Sequence, residues 1–151
     1  MTDKLYNAFV DATHNVLNLM LNIADISDRP ADDFKCDEEV DISIGIVGDL
    51  TGEVIYRFPV STSISIVNIM SGMEVKEVDV FVTSAISEIA NIISGNVLTA
   101  ISSDSDMKCD ILPPVKKSKL DEDEEYEMKT SCCITTTIGE ICLEIRLNRG
   151  A

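Results

Sequence analysis

The chain has 151 residues, of which 45% are hydrophobic and 26% are charged, so we expect one globular domain over residues 1–151 with its own core. Its 27 acidic and 12 basic residues give a formal net charge of −15, which argues against nucleic acid and anionic membrane surfaces as partners because both attract basic patches. The five cysteines are odd in number and follow no framework or metal-ligand spacing, so we expect reduced thiols in a cytoplasmic protein and no metal site.

The N-terminal segment predicts an amphipathic helix over residues 3–25. His14 falls on the polar side without a companion nucleophile, so we do not expect it to be catalytic. Asn18 and Asn22 interrupt the apolar stretch, and no run approaches the length that spans a bilayer, so neither a signal peptide nor a membrane span is expected. The apolar stripe of this helix consists of Leu5, Phe9, Ala12, Val16, Leu19, Met20 and Ile23.

A polar loop over residues 26–39 separates this helix from a predicted hairpin. Residues 40–46 alternate between apolar and polar, which is typical of a half-buried strand. A turn containing two glycines then leads into a return strand over residues 53–58. A second helix is predicted over residues 61–70, with Ser61 as its N-cap and a glycine closing its C-terminus.

A long helix over residues 78–102 carries the most informative pattern in the chain. Ser84, Glu88, Asn91 and Gly95 recur at spacings of three and four, so they share one stripe. Asn is a mediocre helix former, so its place between isoleucines suggests a functional reason, although the same stripe is also what a solvated helix face would show. The opposite face, which must be buried, consists of Val82, Ile86, Ile89, Ile93 and Val97.

The remainder of the chain predicts strands and one charged segment. A short strand precedes the break at Pro113 and Pro114. Residues 115–130 are dominated by Lys, Asp and Glu and predict a solvated loop or edge. Residues 131–138 and 140–147 predict a hairpin. The order of elements indicates an α/β (α+β) single domain, with helices packed on one mainly antiparallel sheet.

The polar stripe resembles the helix motif of the CheX/CheC/FliY family of response-regulator phosphatases. That motif is an acidic residue or Ser, then Glu four residues on and Asn three further, with a proline about two dozen residues later. Ser84, Glu88, Asn91 and Pro114 fit it, with Pro113 as a competing match. The segment EIANIISGN is also similar to the family's helix. A single copy of the motif in a short chain looks more like CheX than CheC, and the resemblance implies the fold described above.

The resemblance also implies an activity: removal of phosphate from the aspartyl phosphate of a CheY-like receiver domain. Asn91 would orient the attacking water, because a carboxamide can both donate to and accept from one water. Glu88 would contact a lysine of the receiver. No cofactor is expected on this chain, since the receiver would bring its own Mg²⁺, and the resemblance to CheX suggests a homodimer. The expected partner-binding residues are Ser84, Ser87, Gly95 and Pro114.

Three points stay open at the level of sequence. Ser87 stands where the family helix often has Gly, so its side chain could crowd the partner. The acidic residues 121–125 could repel an acidic receiver surface. Gly95 either gives a partner clearance or permits close helix–sheet packing. The alternative functions are a non-catalytic receiver-binding or flagellar-switch module, and a structural domain whose stripe is only solvated.

Overall fold

A computed structural model describes residues 2–30, 38–105, 107–116 and 126–149. Within these residues, three helices pack on one seven-stranded sheet in which every pairing is antiparallel, so the predicted fold class is confirmed. The helices are α1 (Thr2–Leu21), α2 (Val60–Ser71) and α3 (Val80–Ser105). The strands are β1 (Ser27–Pro30), β2 (Glu39–Gly48), β3 (Leu50–Pro59), β4 (Cys109–Ile111), β5 (Val115–Lys116), β6 (Met128–Thr136) and β7 (Gly139–Arg149).

The sheet runs in the order β1-β6-β7-β3-β2-β4, with β5 pairing with β2 beside β4. Alternation along the central strands directs one set of side chains toward the helices, as a period of two requires. In β2 this set is Val40, Ile42, Ile44 and Ile46, all buried in one core with residues of α1 and α3. Helices α1 and α3 contact each other, and each also contacts the sheet, α1 at β6 and α3 at β2 and β4, so they lie side by side on it.

The first helix is shorter than predicted. It ends at Leu21 because Asn22 has a left-handed φ of 55° while its N–H still bonds to the carbonyl oxygen of Asn18 at 3.0 Å. Leu19 and Met20, which were assigned to the buried stripe, are instead 84% and 38% exposed. Leu17 and Leu21 occupy the core in their place.

The predicted loop over residues 26–39 contains a strand that its sequence conceals. Ser27–Pro30 pairs with β6 through backbone hydrogen bonds, although all four side chains are exposed. His14 is partly buried nearby, and its Nε2 lies 3.0 Å from the carbonyl oxygen of Ile26, just before β1. This histidine therefore fixes the chain where it enters β1.

Two helix starts differ from the prediction. Helix α2 begins at Val60, and Pro59 occupies its cap position without a side-chain cap, so the assignment of Ser61 as N-cap was wrong. Its predicted glycine stop is confirmed, since Gly72 is left-handed with φ 68°. Helix α3 begins after Asp79, whose Oδ1 accepts a hydrogen bond from the N–H of Val82 at 3.0 Å.

The charged segment over residues 115–130 is only partly loop. Its first two residues form β5, and β6 already begins at Met128. Residues 117–125 lie outside the described parts of the chain, so the acidic run over 121–125 cannot be placed relative to the helices.

Candidate functional site

The buried face of α3 is the one that the sequence predicts. Val82, Ile86, Ile89, Ile93 and Val97 are all fully buried and pack into the main core or directly beside it. This apolar face, together with the uncharged residues around it, makes the window Val80–Ser103 long and apolar enough to cross a bilayer by length and composition. The expectation that no run reaches that length was therefore wrong, and burial of this face in the core accounts for the composition.

The opposite face of α3 presents the predicted polar stripe. Ser84 and Glu88 are exposed, whereas Ser87, Asn91 and Gly95 are partly exposed. From Ser84 to Gly95 the stripe runs three turns, about 16 Å along the helix axis. Glu88 is the one charged residue in Val80–Ser103, so its carboxylate stands on an otherwise neutral surface.

Gly95 faces open space. A Cβ atom built at this position meets no heavy atom within 4 Å among the described residues, and its backbone is helical. Close helix–sheet packing therefore does not require a glycine here.

A buried hydrogen bond fixes how α3 is rotated about its axis. The hydroxyl groups of Tyr56 on β3 and Ser94 on α3 are 2.7 Å apart, and both side chains are fully buried. Burial raises the pKa of Tyr56 well above its usual value, although the bond to Ser94 acts in the opposite direction, so the phenol stays neutral. Because Ser94 follows Asn91 by three residues, this bond also fixes the side of the helix on which Asn91 stands. The sequence analysis missed this pair; its one signal was a serine beside a buried helix face.

The proline of the motif lies at the edge of the sheet and not on α3. Pro114 is partly buried between β4 and β5, whereas Pro113 is exposed. Leu112, which directly precedes Pro113, donates its N–H to the carbonyl oxygen of Gly45 at 2.8 Å. This bond holds the segment between β4 and β5 against β2. The difference in burial favours Pro114 over Pro113 as the residue that shapes this edge.

Of the four described cysteines, three carry buried thiols. Burial raises the pKa of Cys132 to about 12, and burial likewise raises the pKa of Cys133 and Cys142, so these three stay protonated near neutral pH. The adjacent Cys132 and Cys133 lie on opposite faces of β6, the first in the main core and the second against Cys142. Cys109 is also a free thiol, and Cys36 lies outside the described residues. In the described ranges, no three His, Cys, Asp or Glu side chains come together as metal ligands.

A network of charges covers the face of the sheet away from the helices. Glu144 accepts hydrogen bonds from Arg57 at 2.9 Å and from Arg146 at 2.7 Å, and Arg57 also donates to Asp41 at 3.0 Å. Burial lowers the pKa of Arg57, but the hydrogen bond to Glu144 and the nearby carboxylates outweigh this and hold it above its usual value. These residues come from three neighbouring strands, and they join the sheet rather than the stripe on α3.

Comparison with known proteins places this fold and motif together. The sequence profile of the family described as chemotaxis phosphatase CheX matches residues 40–137, which include the whole span from Ser84 to Pro114. The CheY-P phosphatase CheX of Thermotoga maritima is 27% identical over 100 residues. That match covers 64% of this chain and 64% of the relative, slightly less than two thirds of its length.

Solved structures with similar folds cover almost the whole chain. The CheX in a CheX–CheY–BeF₃–Mg²⁺ complex from Borrelia burgdorferi has a TM-score of 0.79 and 21% identity, covering 95% of this chain and 97% of that one. A CheC-like superfamily protein from Shewanella sp. PV-4 has a TM-score of 0.77 and 22% identity, covering 98% and 99%. Since the family profile spans more than half of the sequence and contains the helix with its stripe, the chain belongs to the CheX family.

Proposed function

We propose that this protein, acting as one CheX-like domain over residues 1–151, hydrolyses the aspartyl phosphate of a CheY-like receiver domain. The observation that carries the proposal is the stripe on α3, where the exposed carboxylate of Glu88 and the partly exposed carboxamide of Asn91 stand one turn apart on a helix held by the Tyr56–Ser94 bond. The Thermotoga relative is named a CheY-P phosphatase, and the Borrelia neighbour was solved with CheY, BeF₃ and Mg²⁺. Both names fit chemistry that needs positioning rather than covalent catalysis.

Asn91 is the proposed water-positioning residue. Its carboxamide can donate one hydrogen bond to a water and accept another, which holds the water in line with the phosphorus atom. The transition state of phosphoryl transfer is loose, so geometry and charge stabilisation make up most of the protein's contribution. Partial burial on a helix anchored through Ser94 restricts the Asn91 side chain, as such a role requires.

Glu88 is the proposed docking carboxylate. It is exposed, and no other charge in Val80–Ser103 competes for a cationic partner group. A lysine of the receiver that pairs with Glu88 would fix the distance between Asn91 and the phosphate, because the two residues are one turn apart.

The proposal also covers the metal ion and the residues around Glu88 and Asn91. Mg²⁺ sits on the receiver, and this chain contributes no cofactor. Ser84, Ser87 and Gly95 line the contact on α3, and Pro114 shapes the neighbouring sheet edge. The proposed assembly is a cytoplasmic homodimer joined through sheet edges.

The test compares two asparagines of the same helix. Receiver domains from the same genome are phosphorylated with a small-molecule phosphodonor, and loss of phosphate is followed with wild type, Asn91→Ala and Asn96→Ala. Asn96 is exposed and lies off the stripe, so it is the matched control. Asn91→Ala should slow turnover by about 10²- to 10³-fold without loss of binding, as for the removal of one preorganised polar group.

Two results would contradict the proposal. If Asn91→Ala keeps near-normal turnover on the receiver that wild type prefers, Asn91 does not orient the water. If wild type binds a phosphorylated receiver without accelerating loss of its phosphate, the protein is a receiver-binding module and not a phosphatase.

A further inference from the structure

Exposed apolar side chains concentrate at the end of α2 and the start of α3. Single exposed apolar residues are ordinary on any protein surface, whereas a local concentration marks a docking site. Ten large hydrophobic residues are exposed in the described parts of the chain, and half of them fall within residues 69–81. These five are Ile69, Met70, Met73, Val80 and Phe81.

Two of these residues have a fixed position relative to the polar stripe. Phe81 precedes Ser84 by three residues and Glu88 by seven, so it continues the same stripe, about 10 Å from Glu88 along the helix axis. Phe81 is 49% exposed and its neighbour Val80 is 82% exposed. Both belong to the first turn of α3, which Asp79 caps, so they are held on the helix.

We propose that Val80 and Phe81 form an apolar docking ridge for the receiver domain that Glu88 and Asn91 engage. This inference rests on the proposed function and deepens it. The ridge supplies affinity, and it selects receivers that present an apolar side chain about 15 Å from their phosphorylated aspartate, the distance from Phe81 to Asn91 along the helix axis.

The size of a specific interface requires contacts beyond the stripe. A standard protein interface buries about 800 Å² on each partner, which corresponds to a disc of roughly 16 Å radius. A receiver centred on Glu88 and Asn91 therefore reaches the first turn of α3, where it meets Val80 and Phe81. Continuity along one helix thus places the ridge under the same partner.

The net charge of the protein favours apolar contact over electrostatic attraction as the source of affinity for an acidic receiver. With a net charge of −15, the chain does not attract an acidic receiver through its overall field. Glu88 supplies a single ion pair on a helix surface that is otherwise neutral. Most of the affinity must then come from apolar contact, and aromatic side chains are typical anchors of such interfaces.

The experiment measures binding and turnover separately. Dissociation constants are determined for a receiver loaded with BeF₃⁻ and Mg²⁺, and kcat and KM for the phosphorylated form, with wild type, Val80→Ala and Phe81→Ala. Leu19→Ala is the matched control, because Leu19 is 84% exposed on a different helix. Phe81→Ala should weaken binding about tenfold or more and raise KM, with kcat at saturation unchanged. Leu19→Ala should match wild type.

Each other outcome has a definite meaning. Equal binding by Phe81→Ala and wild type overturns the ridge while the phosphatase proposal stands. Phe81→Ala could also bind the receiver normally but show a lower molar mass than wild type in light scattering. That result assigns Val80 and Phe81 to contact with a second copy of the chain, and it also overturns the inference. If wild type neither binds nor dephosphorylates any receiver, the proposed function fails, and the ridge fails with it.

Discussion

Replacing Gly95 with alanine should stabilise the protein and weaken its function at the same time. Glycine in a helix interior costs about 0.5–1 kcal/mol relative to alanine, because it loses more backbone entropy on folding. The added methyl group meets no atom within 4 Å among the described residues, so no steric conflict offsets the gain. For a domain of this size we therefore expect the Tm to rise by about 1–4 °C.

The functional cost follows from the place of Gly95 on the stripe. It lies one turn, about 6 Å, beyond Asn91 on the same face, where the receiver would approach closely. A methyl group forced into a packed contact typically costs about 1–3 kcal/mol. Binding of a BeF₃⁻-loaded receiver should therefore weaken about fivefold or more, and a larger side chain in Gly95→Leu should weaken it further.

The assay pairs thermal unfolding with the dissociation constant, and Asn96→Ala serves as the control. Asn96 is exposed on the same helix but off the stripe, so its replacement should leave binding unchanged. If Gly95→Ala melts higher and binds normally, the clearance role of Gly95 is wrong. If Gly95→Ala melts at a lower temperature than wild type, the space around Gly95 is not open, and the glycine is needed for close helix packing.

Three further predictions concern the carboxylate, the two helix faces and the charged face of the sheet. Glu88→Ala should loosen receiver binding by about 1.5–3 kcal/mol, the usual contribution of a charged hydrogen bond, and equal dissociation constants for mutant and wild type would exclude the lysine contact. Ile89→Asp should unfold the protein, because an unpaired carboxylate in a fully buried position costs several kcal/mol. Ser84 is exposed, so Ser84→Ala should change the free energy of unfolding by less than about 0.5 kcal/mol. If Ser84→Ala melts early and Ile89→Asp does not, the two helix faces are misassigned. Arg57→Ala should lower the free energy of unfolding by about 3–5 kcal/mol in denaturant, because it breaks ion pairs in which the Arg57 side chain is only 20% exposed. Arg29→Ala breaks an exposed ion pair and should lower it by less than about 1 kcal/mol. Equal losses of stability in the two mutants would contradict this account.

Local periodicity carries most of what the sequence predicts correctly. The buried face of α3 follows from apolar residues at helical spacing, and the alternation in β2 follows from the period of a strand. Each pattern lies within a single stretch of at most 16 residues. Strand β1 could not be found in this way, because Ser27–Pro30 contains no apolar alternation and joins the sheet by backbone pairing with β6. The end of α1 depended on the left-handed conformation of Asn22, which a glycine would have signalled more clearly.

The contacts that position the candidate site are those that a linear sequence hides. Tyr56 and Ser94 are separated by 38 residues, and nothing near either of them identifies the other. The network around Glu144 likewise joins Asp41 and Arg57 from two other strands. The motif therefore identifies which residues we propose as the partner-facing ones, while the tertiary fold decides how rigidly their helix is held.

Rigidity matters here because the proposed chemistry is positioning. Asn91 has only the placement of one water to contribute, and a displacement of about 1 Å can cost 10²-fold in rate. The helix that carries it is therefore fixed on three sides: by its fully buried isoleucines, by the Tyr56–Ser94 bond and by packing against α1. The outer side of the helix carries no charge besides Glu88 from Val80 to Ser103, and this is the side on which the proposed receiver would dock.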